Sequence, residues 1–165
     1  MEINYNLSKQ EKDYFCVPAI FQAILRKHGF EESQENLAKR LNCQPIEGTK
    51  LTTSFYNLFA PYGLKNEFIR TTQVLMGDPT FLIDEWISRK GDFYIFSEVA
   101  KDTRHARIAI GLEDKKVLLQ DPGNLRITRE DIDEIYAHIA KTRSGGFGLV
   151  TKIDNPNIRL LTEAK

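Results

Sequence analysis

Large apolar residues recur at helical spacing in the first half of the chain and alternate with polar ones in much of the second. In CVPAIFQAILRKHG, Ile20, Phe21, Ile24 and Leu25 share a helical stripe. That helix begins around Cys16–Pro18, because proline is tolerated in a first turn, and it stops at Gly29. Ile20 and Phe21 are adjacent and both large, so the helix is expected to be buried over much of its surface. Ser33 is a good N-cap for a second helix through Leu37 and Leu41. CQPIEGTK (43–50) reads as a loop. A third helix is expected from about Thr52 to Tyr62, with Phe55, Leu58 and Phe59 inward. Asp78-Pro79 starts a fourth, with Leu82, Ile83, Trp86 and Ile87 on one face.

From Gly91 the pattern changes. DFYIFSEV (92–99) is aromatic and β-branched, as strands prefer. HARIAIGL (105–112) places Ala106, Ile108 and Ile110 on one face and His105, Arg107 and Ala109 on the other. EDKK is a turn, and VLLQD (117–121) pairs back as a hairpin. Thr128 caps a helix, TREDIDEIYAHIAK, with Ile132, Ile135, Tyr136 and Ile139 inward. GFGLVTKI (146–153) is a further strand. Helices mainly first and strands later indicate an α+β fold with an antiparallel sheet. Parallel βαβ alternation is absent, as are G-x-G-x-x-G and Walker sequences, which disfavours nucleotide binding.

Length and charge narrow the function. The 165 residues suit one domain, or two small lobes sharing a core. Twenty-three basic residues balance twenty-three acidic ones, so no overall field draws the chain to nucleic acid or an anionic membrane. Apolar runs are too short for a membrane span. The start, MEINYNLSKQEKDYF, is polar and lacks a signal-peptide pattern. A cytoplasmic protein is therefore expected, and signal-independent secretion is compatible with the same sequence. The two cysteines and three histidines lack close metal-ligand spacing, so a structural zinc site is not expected.

Four residues carry the candidate chemistry. Cys16 sits at a predicted helix start, where unpaired N–H groups favour a thiolate. Taken alone, a cysteine there is more often a small buried hydrophobe. Gln10, six residues earlier, can supply a side-chain N–H to an oxyanion, with the Cys16 backbone N–H as second donor. Taken alone, it is a loop residue. His105 opens a strand and is suited to act as the base that a thiol needs. Asp121 closes the paired strand sixteen residues later and can orient the imidazole. Asp121-Pro122-Gly123 is also a turn signal, and the two roles are compatible. His28 is twelve residues along the helix from Cys16, hence about 18 Å away. His138 reads as a surface or rim residue. Cys43 is expected to be a free thiol without a catalytic part.

QEKDYFCVPAIFQAILRKHGF, followed by SQENLAKRL, resembles the N-terminal region of the C39 and C39-like papain-like cysteine peptidases. That group shows a Gln six residues before a Cys and then a Pro-Ala pair, here Gln10, Cys16, Pro18 and Ala19. RHARIAIGLEDKKVLLQDP resembles the family's later pattern, with His105, Asp121 and Pro122. The resemblance spans roughly residues 8 to 153, although its specific motifs are the two ends. Val17 departs from it, standing where many relatives have Gly.

The resemblance implies a single papain-like domain over 1–165. Its helical part would run from about 14 to 90, with the nucleophile at the start of the central helix. That part would pack on a β-rich part from about 91 to 153 with one helix. It also implies acyl transfer without cofactor on a peptide or protein substrate. Cys16 would be the nucleophile, His105 the base, Asp121 its orienting carboxylate, and Gln10 an oxyanion donor. A thiol hydrolase, most simply a peptidase, is the leading reading. The same four residues would serve a deamidase or acyl-transferase, such as the phytochelatin-synthase-like branch. A non-catalytic adaptor or immunity-type protein could retain the fold, although the presence of all four residues argues against it.

Overall fold

The computed structural model describes residues 2–70, 80–100, 103–143 and 145–153. Helix α1 spans Cys16–Lys27, and Gly29 leaves it in the left-handed region at φ +86°. Helix α2 spans Gln34–Arg40, and the Ser33 side chain accepts the Asn36 N–H, as its cap position requires. The expected third helix is broken. Helix α3 covers only Thr53–Asn57, and a separate 3₁₀ turn follows at Ala60–Tyr62. Pro61 explains the break, since it lacks an N–H and its ring clashes with the carbonyl one turn back. Phe55, Leu58 and Phe59 are nevertheless buried.

A strand with no counterpart in the expectation follows. β1, Leu64–Arg70, lies in the expected helical part, between the third and fourth helices, where the sequence pattern predicts no element. Its inward positions are Leu64, Asn66 and Phe68, so a polar residue interrupts the apolar alternation. Buried Asn66 donates to the Phe55 carbonyl at 3.2 Å and accepts the Tyr94 hydroxyl at 2.9 Å. Helix α4 spans Thr80–Arg89, so its expected start at Asp78-Pro79 lies outside the described residues. Ile83 and Trp86 point inward, but Ile87 is exposed, contrary to expectation.

Strands β2 (Asp92–Ala100), β3 (Thr103–Glu113), β4 (Lys116–Gln120) and β6 (Gly145–Lys152) follow the expected strand pattern to within two residues. The segment after β4 departs from it. Ile127–Asp131 is strand β5, and helix α5 begins only at Ile132 and ends at Thr142. Asp131, rather than Thr128, is the N-cap and accepts the Asp133 N–H at 2.8 Å. Pairing with β4 holds the preceding residues extended: Leu118 faces Arg129 and Leu119 faces Thr128.

The sheet order is β1-β6-β2-β3-β4-β5, and every pair is antiparallel. Alternation along the strands divides the core in two. On one face, Tyr94, Phe96, Ala106 and Ile108 meet α1, α2 and α3. Phe21 lies at the centre there, with ring centroids 4.7 Å from Phe59 and 5.5 Å from Tyr94. On the other face, Phe93, Ile95, Val117 and Phe147 meet Trp86 of α4 and Ile132, Ile135 and Ile139 of α5. The helices thus cover both faces of the sheet, α1 to α3 on one and α4 and α5 on the other. Gly148 faces Tyr94 across the β2–β6 pair, where a Cβ would lie 2.0 Å from the Tyr94 ring. No helix among the described residues is long and apolar enough to cross a membrane.

Candidate active site

Cys16 is the first residue of α1 and is buried. The N-cap, Phe15, offers no side-chain acceptor, and the first turn holds no acidic residue. The positive end of α1 is therefore not neutralised from within the helix. Burial pushes the Cys16 thiol up from its ordinary range. The backbone N–H groups of Ala106, Val17 and Cys16 itself oppose that rise, while nearby Cys43 adds to it. The net result is a thiol that rests protonated and needs a base. Ala106 follows His105 directly on β3, so the sulfur lies against the strand that presents the expected base.

His105 stands near the start of β3 and is partly exposed. Its Nε2 lies 2.8 Å from Asp121 Oδ1. This leaves Nδ1 as the ring nitrogen available to a nucleophile. Asp121 follows β4 directly and begins a tight turn, its carbonyl accepting the Leu125 N–H at 2.7 Å. The same Oδ1 that meets His105 accepts the Gly123 N–H at 2.6 Å. Sheet pairing brings these residues together, since β3 and β4 are neighbours in register.

Gln10 reaches the same place by a different route. Its backbone N–H donates to the Pro122 carbonyl at 2.8 Å. Its side-chain amide donates to the carbonyls of Lys12 at 3.0 Å and Asp13 at 2.8 Å. Both amide protons are thus committed within the loop that leads to Cys16. The Gln10 Oε1 is buried and accepts no hydrogen bond.

Several residues near these four were not singled out from sequence. Gln34, the first residue of α2, brackets Gln10. It accepts the Glu11 N–H at 2.9 Å and donates to the Lys9 carbonyl at 3.0 Å. Its pairing with the Gln22 side chain of α1, at 3.3 Å, completes the brace. A cleft of ≈ 350 Å³ opens beside His105 and Asp121, lined also by Arg107, Glu130 and His138. Arg107 and Glu130 form an ion pair there. His138 is exposed, with Nε2 2.6 Å from the Glu98 carbonyl, in keeping with a rim position. A polar residue two places along the strand from His105 was the available signal for Arg107. Nothing local marked Gln34.

Cys43 is a free thiol, with Sγ 3.2 Å from the Tyr14 carbonyl. His28 is committed elsewhere, with Nε2 2.7 Å from Oδ2 of the fully buried Asp92. No group of three potential metal ligands occurs among the described residues.

No protein-family profile matches this chain, and no curated protein matches it in sequence. Solved structures do match. The peptidase domain of Streptococcus ComA is a domain of a bifunctional ABC transporter involved in a quorum-sensing pathway. It aligns with a TM-score of 0.68 at 16% identity, over 90% of this chain and 99% of that one. A Bacillus anthracis protein assigned to the C39-like peptidases aligns with a TM-score of 0.60 at 12% identity, over 92% and 98% respectively. The mixed arrangement of helices and antiparallel sheet described above is accordingly the papain-like fold of C39 peptidase domains.

Proposed function

We propose that this protein is a cysteine-dependent hydrolase, most simply a peptidase acting on a peptide or protein. The observation that carries the reading is the 2.8 Å contact between His105 Nε2 and Asp121 Oδ1, with the Cys16 thiol beside the next residue of the same strand. In this reading Nδ1 of His105 takes the thiol proton as Cys16 Sγ attacks the carbonyl carbon. The Cys16 N–H receives the developing oxyanion. Gln10 becomes the second donor by exchanging one of its bonds to Lys12 or Asp13 for the substrate oxygen. His105 then gives its proton to the leaving nitrogen, and a thioester remains on Cys16. Water attacks that thioester with His105 again as base, releasing the acid and restoring the thiol. The cleft beside His105 would receive the leaving-group side of the substrate.

The test is labelling with an electrophile that traps acyl-enzymes, followed by identification of the modified residue. Labelling at Cys16 that is lost in His105→Ala supports the reading. Labelling at Cys43 alone, or equal labelling without His105, rejects it. Supplying amine acceptors and analysing the products then distinguishes hydrolysis from acyl transfer.

A further inference from the structure

The missing side chain of Gly123 sits where three of the four site residues converge. A Cβ there would lie 3.0 Å from Asp121 Oδ1, 3.6 Å from Gln10 Oε1 and 3.8 Å from His105 Cε1. Each of these neighbours is a side-chain atom, so the constraint comes from the site rather than from the backbone. Gly123 also donates its N–H to Asp121 Oδ1 at 2.6 Å, the same oxygen that meets His105 Nε2 at 2.8 Å. One carboxylate oxygen therefore serves two donors, one from the imidazole and one from the turn. The preceding residue, Pro122, accepts the Gln10 N–H at 2.8 Å, which ties the same turn to the segment leading to Cys16.

We propose that Gly123 is a positioning residue for the catalytic base: it fixes Asp121 Oδ1 with its N–H and, by lacking a Cβ, leaves that oxygen room to hold His105. The proposal rests on the thiol reading, but its central test does not need turnover. A methyl group at 3.0 Å from Oδ1 forces the carboxylate to move by a few tenths of an ångström. Both the Gly123 contact and the His105 contact feel that displacement, because they share the atom. Asp121 is partly exposed, so it can yield toward solvent without unfolding the turn.

The readout is the His105 ring by NMR in the intact protein. In the unaltered chain the Nε2 proton should be visible and slow to exchange with solvent, as a proton held by a carboxylate. In Gly123→Ala that proton should exchange about ten times faster, while the thermal midpoint stays nearly constant. Turnover should fall about 10-fold with KM little changed, the pattern of lost alignment rather than lost binding. Combining Gly123→Ala with Asp121→Asn should cost little more than Asp121→Asn alone, since both act through one contact. An unchanged Nε2 exchange rate in folded Gly123→Ala overturns the proposal, as does full additivity of the two losses.

If Gly123→Ala does not fold, the unaltered protein still decides. The Gly123 amide proton should shift when Asp121 is replaced by Asn, and an unmoved resonance rejects the shared oxygen. An inert Cys16 together with the expected exchange behaviour would reject the hydrolase reading while leaving the His105–Asp121–Gly123 contact in place. Failure of the larger reading and failure of this inference are thus distinguishable.

Discussion

The protein contains two histidine–aspartate pairs of nearly equal geometry in very different surroundings. His105 meets Asp121 at 2.8 Å, and His28 meets Asp92 at 2.7 Å. The second pair closes the C-terminal end of α1, and Asp92 there is completely buried. Asp92 also accepts the Tyr5 hydroxyl at 2.8 Å and pairs with Lys27, so its carboxylate is held by three side chains. The positive side chain of Lys27 also suits the negative end of a helix. The first pair is partly open to solvent and borders a cleft, and its histidine directly precedes Ala106, whose backbone meets the Cys16 thiol. An imidazole held by a carboxylate is thus a clamp in one place and a candidate base in the other. Access and the identity of the neighbour separate them, not the hydrogen bond itself.

The sharpest way to break that contrast is to delete each histidine. Cys16→Ala and His105→Ala should each reduce turnover by at least about 10³-fold, and their losses should not add. His28→Ala should leave turnover per folded molecule near the original while lowering the urea midpoint. Activity assays paired with denaturation curves on the same preparations would show both. If His28→Ala lost activity without losing stability, the clamp and the base would have been assigned the wrong way round.

Removing the buried carboxylate is the next largest effect. Asp92→Ala leaves Lys27 and His28 beside an empty site and Tyr5 without its acceptor. It should destabilise the protein by about 3–5 kcal/mol, the scale for breaking a buried ionic cluster. Gln10→Ala should lower turnover by about 10²-fold, the scale of one oxyanion donor. It should also lower the unfolding midpoint, since the Lys12 and Asp13 carbonyls lose their donor. Asp121→Asn should be milder, roughly 10-fold in turnover, because an amide oxygen can still accept from Nε2, where general acid–base catalysis as a whole contributes about 10²–10⁴.

The smallest expected effect concerns alkaline stability. Burial, together with Asp92, holds the Tyr5 phenol well above its ordinary range, and burial does the same for Tyr94. Unfolded phenols ionise near pH ~10, whereas the native ones keep their protons. Above that pH the unfolded state binds fewer protons than the native state, so stability falls as pH rises. Tyr5→Phe should flatten the slope of the urea midpoint between about pH 9 and 11. An unaltered slope would show that Tyr5 is not held in this way.

Local pattern made much of this architecture legible. The stripe of α1, the Ser33 cap and the alternation of β3 depend on residues close in sequence. The spacing of Gln10 to Cys16 and of His105 to Asp121 is similarly local, one set by a loop before a helix and the other by a hairpin. The misreadings arise where distant contacts override local preference. Asn66 occupies an inward strand position because Tyr94 and Phe55 satisfy it. Thr128 has the chemistry of a helix cap but is drawn into β5 by β4, and Asp131 takes the role instead. Gln34 was invisible for the same reason, and Gly123 was legible only as a turn residue, since its approach to Gln10 and His105 exists only after folding.

The position of β6 bears on how the chain is made. β1 ends at Arg70, yet its partner in the sheet is β6, which begins at Gly145 and separates β1 from β2. During synthesis β1 therefore waits for its neighbour on the order of several seconds, at roughly 5–20 residues per second. Its pairing is among the least local in the molecule, which slows folding through the loop that must be closed. Throughout that interval Cys16 has emerged while the sheet behind α1 lacks its bridging strand. A ribosome stalled before residue 145 would hold a chain with a thiol, a potential base and an unpaired strand edge, the species most exposed to aggregation or to capture by a chaperone.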